Sequence, residues 1–197
     1  MKSAIRTHLF RVIYKKDFII SDANSDLSNY GDDNYMLRWS GIRKKLESEY
    51  LADSLKGHIQ YFATSYSKCP DHEGRAAILL DGKEIISGGY YNNWAKASLF
   101  PKDEKYQKRM QEEMAFMDDV AVRLGVFDQR CFYEAFNIFD NQSIELSLES
   151  DNMLVRIMAV LDRRVGKRRL ISMKETIEDE APSFQEFFAI RAEAEGI

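Results

Sequence analysis

Asp81-Gly82 constrains this chain more than any other pair of residues. It sits between two apolar runs, residues 75–80 and 84–87. A two-residue hairpin loop needs positive φ at both centres, and Asp-Gly meets that demand at little steric cost. The two runs are therefore adjacent antiparallel strands. Residues 58–66 are rich in strand formers and supply a third strand. A loop carrying Pro70 joins it to the hairpin, and Gly88-Gly89 closes the unit. The economical reading is a three-stranded antiparallel meander.

Helical periodicity dominates the rest. Ser40 is a candidate N-cap for a helix over 41–55, with Ile42, Leu46 and Tyr50 on one face. Gly57 ends it, and the helix covers one face of the meander. Pro101 suits the first turn of a long helix that ends near Gly125. Its apolar stripe is Tyr106, Met110, Met114, Met117, Ala121 and Leu124. Asp128 caps a further helix, in which Phe132, Ala135, Phe136 and Phe139 repeat at helical spacing. Residues 143–149 alternate briefly but are read as a short helix. Asp151 or Ser150 caps the next helix, whose buried face is Leu154, Ile157, Met158, Leu161 and Val165. Gly166 ends that helix and Lys167 begins another. The last helix starts at Pro182 or Ser183 and docks through Phe184, Phe187, Phe188 and Ile190.

The fold class is α+β: an N-terminal helix with a small antiparallel β-meander, then an α-helical C-terminal half. Residues 36–197 form a single domain, with the β-meander part at 36–100 and the helical part at 101–197. Residues 21–35 are rich in Asp, Asn, Ser and Gly with few apolar anchors, so 1–35 read as an N-terminal extension and linker. Met36 is a candidate second start.

The net charge of −4 offers no global field for nucleic acid or an anionic membrane. No apolar run approaches the length of a membrane span. The apolar stretch at 9–14 is short and carries Arg11, which makes a poor signal peptide. Cys69 and Cys131 form no CxxC pair, as expected of thiols in a reducing cytoplasm.

The densest charge is Asp162-Arg-Arg-Val-Gly-Lys-Arg-Arg169. With Arg156 it gives a candidate binding set of Arg156, Arg163, Arg164, Lys167, Arg168 and Arg169. Such a patch suits phosphates or an acidic partner. The competing reading is structural. The cations then complement a helix C-terminus at Gly166 and pair with Asp162 and with the acids at 178–180. On a continuous helix Arg156 and Arg163 share the face opposite the apolar stripe. A second candidate surface is the loop Gly88-Gly-Tyr-Tyr-Asn-Asn-Trp94, with Tyr90, Tyr91 and Trp94 as an aromatic platform beside amides. Trp39 belongs to that platform or to the core.

Three weaker patterns occur. Asp71, Asp81 and Lys83 imitate a metal-dependent nuclease, but Asp81 reads as a turn residue. Cys69 and His72 are half of a zinc pattern, with His58 and Cys131 as distant completions and no second half at suitable spacing. The methionine stripe reads as core. Phosphate-loop, dinucleotide, zincin and nucleophile-elbow motifs do not occur. No cofactor and no metal are expected.

Several blocks resemble one uncharacterised bacterial protein family. They are Trp39-Ser-Gly-Ile-Arg-Lys-Lys-Leu-Glu47, the Leu55-Lys-Gly57 block with Tyr61, Thr64, Ser65 and Tyr66, the stretch from Asp71 through Gly74-Arg75-Ala76 to Asp81-Gly-Lys-Glu-Ile85, Ser150-Asp-Asn152 with Arg156, Ala159 and Asp162–Leu170, and the closing block from Arg191 to Gly196. The resemblance covers most of 39–196, leaves out 1–35 and implies a bacterial origin. It brings no activity, ligand or catalytic residue.

The expectation is a non-enzymatic accessory protein of the immunity type, with another protein as partner and no membrane. The alternatives are nucleic-acid binding through 156–169 and a metal-dependent hydrolase or nuclease.

Overall fold

The structure is a computed structural model, and it describes residues 38–65, 74–89, 96–112 and 117–197. The chain opens with α1 (Trp39–Lys44), which widens into a π-helical turn (Lys45–Tyr50) before a 3-10 turn (Asp53–Leu55). The uniform helix expected over 41–55 is thus interrupted. The π turn closes with Leu51 N–H on the Leu46 carbonyl at 3.0 Å, and at Leu51 the chain becomes extended. This i→i+5 bond, one residue longer than the α-helical i→i+4 bond, ends where Tyr50 and Leu51 meet residues 162 and 163.

The three strands β1 (Ile59–Ser65), β2 (Gly74–Leu80) and β3 (Lys83–Gly89) form an antiparallel sheet in sequence order. Asp81 and Gly82 both have positive φ, 51° and 77°, as the hairpin reading required. Tyr61, Ala63, Ala76 and Ile78 point into the core. The Tyr61 N–H, on the open edge of β1, donates to Glu47 at 2.8 Å. A side chain from the π turn thereby occupies one edge position that would otherwise await another strand.

The helical half contains α2 (Glu104–Glu112), α3 (Asp119–Leu124), α4 (Gln129–Asp140), α5 (Ile144–Leu148), α6 (Met153–Val160), α7 (Lys167–Lys174) and α8 (Pro182–Glu195). The single helix expected from Pro101 to Gly125 is two. Asp103 caps the first by accepting from the N–H groups of Lys105 and Tyr106. Met117 and Asp118 lie outside helix, and Asp118 caps α3 through the Ala121 N–H at 2.8 Å. Met114 falls outside the described residues. Asp128 caps α4 as expected, and its Phe132, Ala135, Phe136 and Phe139 are all buried. The cap of α6 is Asn152, not Asp151 or Ser150, because its Oδ1 reaches the N–H groups of Leu154 and Val155.

Helix α6 is the centre of the molecule. All its residues except Arg156 are buried, so it has no opposite, solvated face. It packs against α4, α5 and α8. On the sheet side α1 and α4 cover the strands: Phe132 meets Tyr61 at 6.2 Å and Trp39 at 6.4 Å between ring centres. Among the described residues no helix is long and apolar enough to cross a membrane.

Candidate functional site

Helix α6 ends at Val160, six residues before Gly166. The chain between them is held by pairing with the segment after the π turn. Ala52 N–H donates to Leu161 O at 3.0 Å, Arg163 N–H donates to Tyr50 O at 2.8 Å, and Leu51 bridges Asp162. This short ladder fixes Asp162 inward, with its carboxylate fully buried. A buried carboxylate needs a partner to stay charged. Arg164 supplies it, with Nη2 at 2.8 Å, Nε at 3.0 Å and its own N–H at 2.6 Å. The guanidinium lies 4.9 Å from the Tyr50 ring centre and 5.2 Å from that of Phe139. The hydrogen bond to Asp162 raises the Arg164 pKa further. Tyr50 in turn donates to Asp140, which also accepts from Lys45 Nζ at 2.9 Å. Burial, then Asp140, pushes the Tyr50 hydroxyl up to about 12.

A second ionic cluster closes the other side of the turn. Arg191, 3% exposed, donates to Ser54 Oγ at 2.9 Å and Val165 O at 3.3 Å, and pairs with Glu195 at 2.6 Å. Ser54 also donates to Glu195 at 2.6 Å, and Lys167 Nζ reaches the Glu195 carbonyl at 2.7 Å. Burial lowers the Arg191 pKa against the pull of Glu195.

The six basic candidates therefore divide. Arg156 lies on α6, with Nε on Leu148 O at 2.8 Å, Glu180 at 2.7 Å and the Phe184 ring centre at 4.3 Å. Arg164 is held by Asp162, Lys167 by Glu195 and Arg169 by Glu145 at 3.1 Å. Arg163 and Arg168 are exposed and make no ion pair among the described residues. Arg156 and Arg163 do not share a helix face, since α6 stops before Arg163.

Gly166 is not the end of a helix with basic residues around it, as one sequence reading had it. It is the N-cap of α7, and no side chain caps it. Lys167, Arg168 and Arg169 occupy the first turn, at the positive end of the helix dipole. Each cation there is disfavoured by about 0.3–1 kcal/mol. The N–H groups of Lys167 and Arg168 have no acceptor among the described residues. Leu170 anchors α7 in the core, whereas Ile171 is 53% exposed. Arg168 and Ile171 are three residues apart, and Lys167 and Ile171 four, so the three side chains adjoin on the outer face. Arg163 lies in the turn before α7, with its N–H on the Tyr50 carbonyl.

Sequence reasoning found the basic block and two sources of its partners, Asp162 for Arg164 and the acids at 178–180 for Arg156, but missed the others. Ser54, Asp140, Arg191 and Glu195 carry no local signal, because each meets its partner through chain segments far apart in sequence.

The remaining candidates lie elsewhere. Tyr90, Tyr91 and Trp94 fall outside the described residues, as do Cys69, Asp71 and His72. Trp39 packs on Phe132 and Tyr133. Asp81 sits in the hairpin turn, 2.7 Å from His58 Nδ1. Burial pushes the pKa of the Cys131 thiol up, away from the lowered range of reactive thiolates. Among the described residues no group of three or more His, Cys, Asp or Glu is placed to hold a metal ion.

No curated protein and no solved structure matches the chain significantly. The model of the SF0329 protein family matches residues 38–192, which is most of the chain. The chain thus belongs to the SF0329 protein family.

Proposed function

We propose that this is a non-enzymatic protein-binding protein, an accessory of the immunity type acting in the bacterial cytoplasm. Its partner docks on the outer face of the 162–166 turn and α7. One observation carries this reading: Ile171 is exposed on α7, three residues from the unpaired cation Arg168, on a helix that follows a turn tied down by two ionic clusters. A pre-organised scaffold with an exposed apolar side chain and arginines suits a protein contact, where arginine is enriched and rigid anchors limit the entropy lost on binding. A nucleic-acid track requires several cations facing phosphates. Here four of the six basic candidates are paired within the chain, which favours a protein partner.

The test is affinity purification of tagged full-length protein from its native host, beside the Ile171→Asp variant. A stoichiometric protein retained by the wild type and lost from the variant supports docking. Retention of nucleic acid with no protein, released by high salt, refutes it.

A further inference from the structure

We infer that residues 166–181 form a strap that opens as a unit while the rest of the fold stays closed. The strap comprises α7, the 3-10 turn Ile177–Asp179 and their connections. Its two ends are fixed. Val165, just before it, is fully buried, and Arg191 holds its carbonyl at 3.3 Å. Just after it, the Ser183 N–H donates to Asp119 at 2.8 Å, and Phe184 enters the core. Between these ends the strap is separable. Among the described residues, the backbone–backbone hydrogen bonds of 166–180 all stay within the strap. The turn before it is different, because Ala52 N–H on Leu161 O and Arg163 N–H on Tyr50 O lace it to the π turn. Of the residues of α7 only Leu170 is buried, whereas α6 buries all but Arg156. Met173, Ile177 and Ala181 are buried only in part.

Apart from Leu170, what holds the strap down is polar contact at its margins. Lys167 Nζ reaches the Glu195 carbonyl at 2.7 Å and its carboxylate at 3.6 Å. Arg169 pairs with Glu145 at 3.1 Å, and Glu180 with Arg156 at 2.7 Å. Gln185 Nε2 donates to the carbonyls of Glu180 at 2.7 Å and Glu178 at 3.2 Å. Each ion pair has a member in contact with water, where such pairs contribute little. Nor does α7 hold itself. It has eight residues, which is marginal for an isolated helix, and no side chain caps it at Gly166. Lys167, Arg168 and Arg169 oppose the dipole at its start and Glu175 opposes it at its end, so only Lys174 complements it. A segment with few buried apolar contacts opens before the whole fold does. The open form is a minor state in which Leu170 and Met173 are uncovered. The docking proposed above uses the outer face of the closed form, so the strap and the docking stand or fall separately.

The test is native-state hydrogen exchange of the full-length protein, read residue by residue by NMR and corrected for intrinsic rates. The amides of 170–174 in α7 exchange about a hundredfold or more faster than those of 157–160 in α6. Their exchange also rises less steeply with urea, because opening the strap exposes less surface than global unfolding. Two variants separate the strap from the whole fold. Ile78 is buried in β2, which packs on β1, β3 and α4, away from the strap. Ile78→Val weakens the closed and open forms alike. It therefore speeds the α6 amides about twofold to tenfold and leaves the α7 amides unchanged. Glu180→Gln weakens the closed form alone and speeds the α7 amides about twofold to fivefold. Cooperative thermal melts establish that both variants fold. If the α7 amides are as slow as those of α6, or are speeded by Ile78→Val to the same extent, the strap opens only with the whole fold and the inference is overturned. Indifference of the α7 amides to Glu180→Gln overturns the ionic hold. A strap that opens in a protein retaining no partner leaves this inference standing and removes docking alone.

Discussion

Arg164 folds back onto Asp162, two residues before it, and holds a carboxylate that has no exposure to solvent while remaining 38% exposed itself. The two sides of this ion pair are therefore unequal. Replacing Arg164 with leucine strands a buried charge. Replacing Asp162 with alanine leaves an arginine that can turn to water. Arg164→Leu is expected to destabilise the protein by about 3 kcal/mol in denaturant unfolding. Arg164→Lys restores little of this, because an ammonium cannot reproduce the guanidinium fork or its packing on Tyr50 and Phe139. Equal stability of the lysine variant and wild type contradicts this account.

Glu195 predicts the response to acid. Ser54, with Arg191 and Lys167, holds its carboxyl below the usual range. Above that range Glu195 is charged in both folded and unfolded chains, and the fold has the full benefit. As pH falls, the unfolded chain takes up its proton first, near about 4.3. The benefit is then lost until pH passes below the depressed folded value. Glu195→Gln should lower stability at neutral pH by about 3 kcal/mol, because Arg191 loses its charge partner in a buried site. It should also flatten the stability profile below the usual carboxylate range. Urea titrations of both proteins across that range read the difference.

Gly88 marks the contact between the sheet and the α3–α4 connection. A Cβ there would lie 2.3 Å from the Phe127 carbonyl oxygen and 2.8 Å from its ring. The carbonyl is backbone and cannot rotate away, so Gly88→Ala is expected to cost about 1–3 kcal/mol. An unchanged melting temperature for Gly88→Ala refutes this packing.

Gly166 behaves oppositely, with open space around its Cβ position. Gly166→Asp caps α7 and sets a negative charge against a first turn of basic residues. Gains of a few tenths to about 1 kcal/mol in thermal or denaturant unfolding are expected. A stability loss contradicts the placement of Gly166 as an N-cap.

Elements set by neighbouring residues were legible in the sequence. Asp81-Gly82 specified its own hairpin, Asp128 and the phenylalanines after it specified α4, and Pro182 marked the start of α8. Three features were not legible, each because distant segments decide it. Helix α6 is buried all round, which a stripe of Leu154, Ile157 and Met158 does not reveal. The helix expected from Pro101 is split, because Asp118 caps a new helix in mid-pattern. The basic block looked like one patch. The pairing with Asp162 and with the acids at 178–180 was legible, but the division into paired and unpaired cations also depends on Glu145 and Glu195, each at least two dozen residues from its partner.

The central claim is that the outer face of α7 and the preceding turn is where a partner protein docks. The most direct measurement is quantitative mass spectrometry of proteins retained by tagged wild type, Ile171→Asp and Arg163→Glu/Arg168→Glu, purified from the native host in parallel. The account predicts one stoichiometric protein with wild type, lost from both variants while each still melts cooperatively. The same protein retained equally by all three would contradict it.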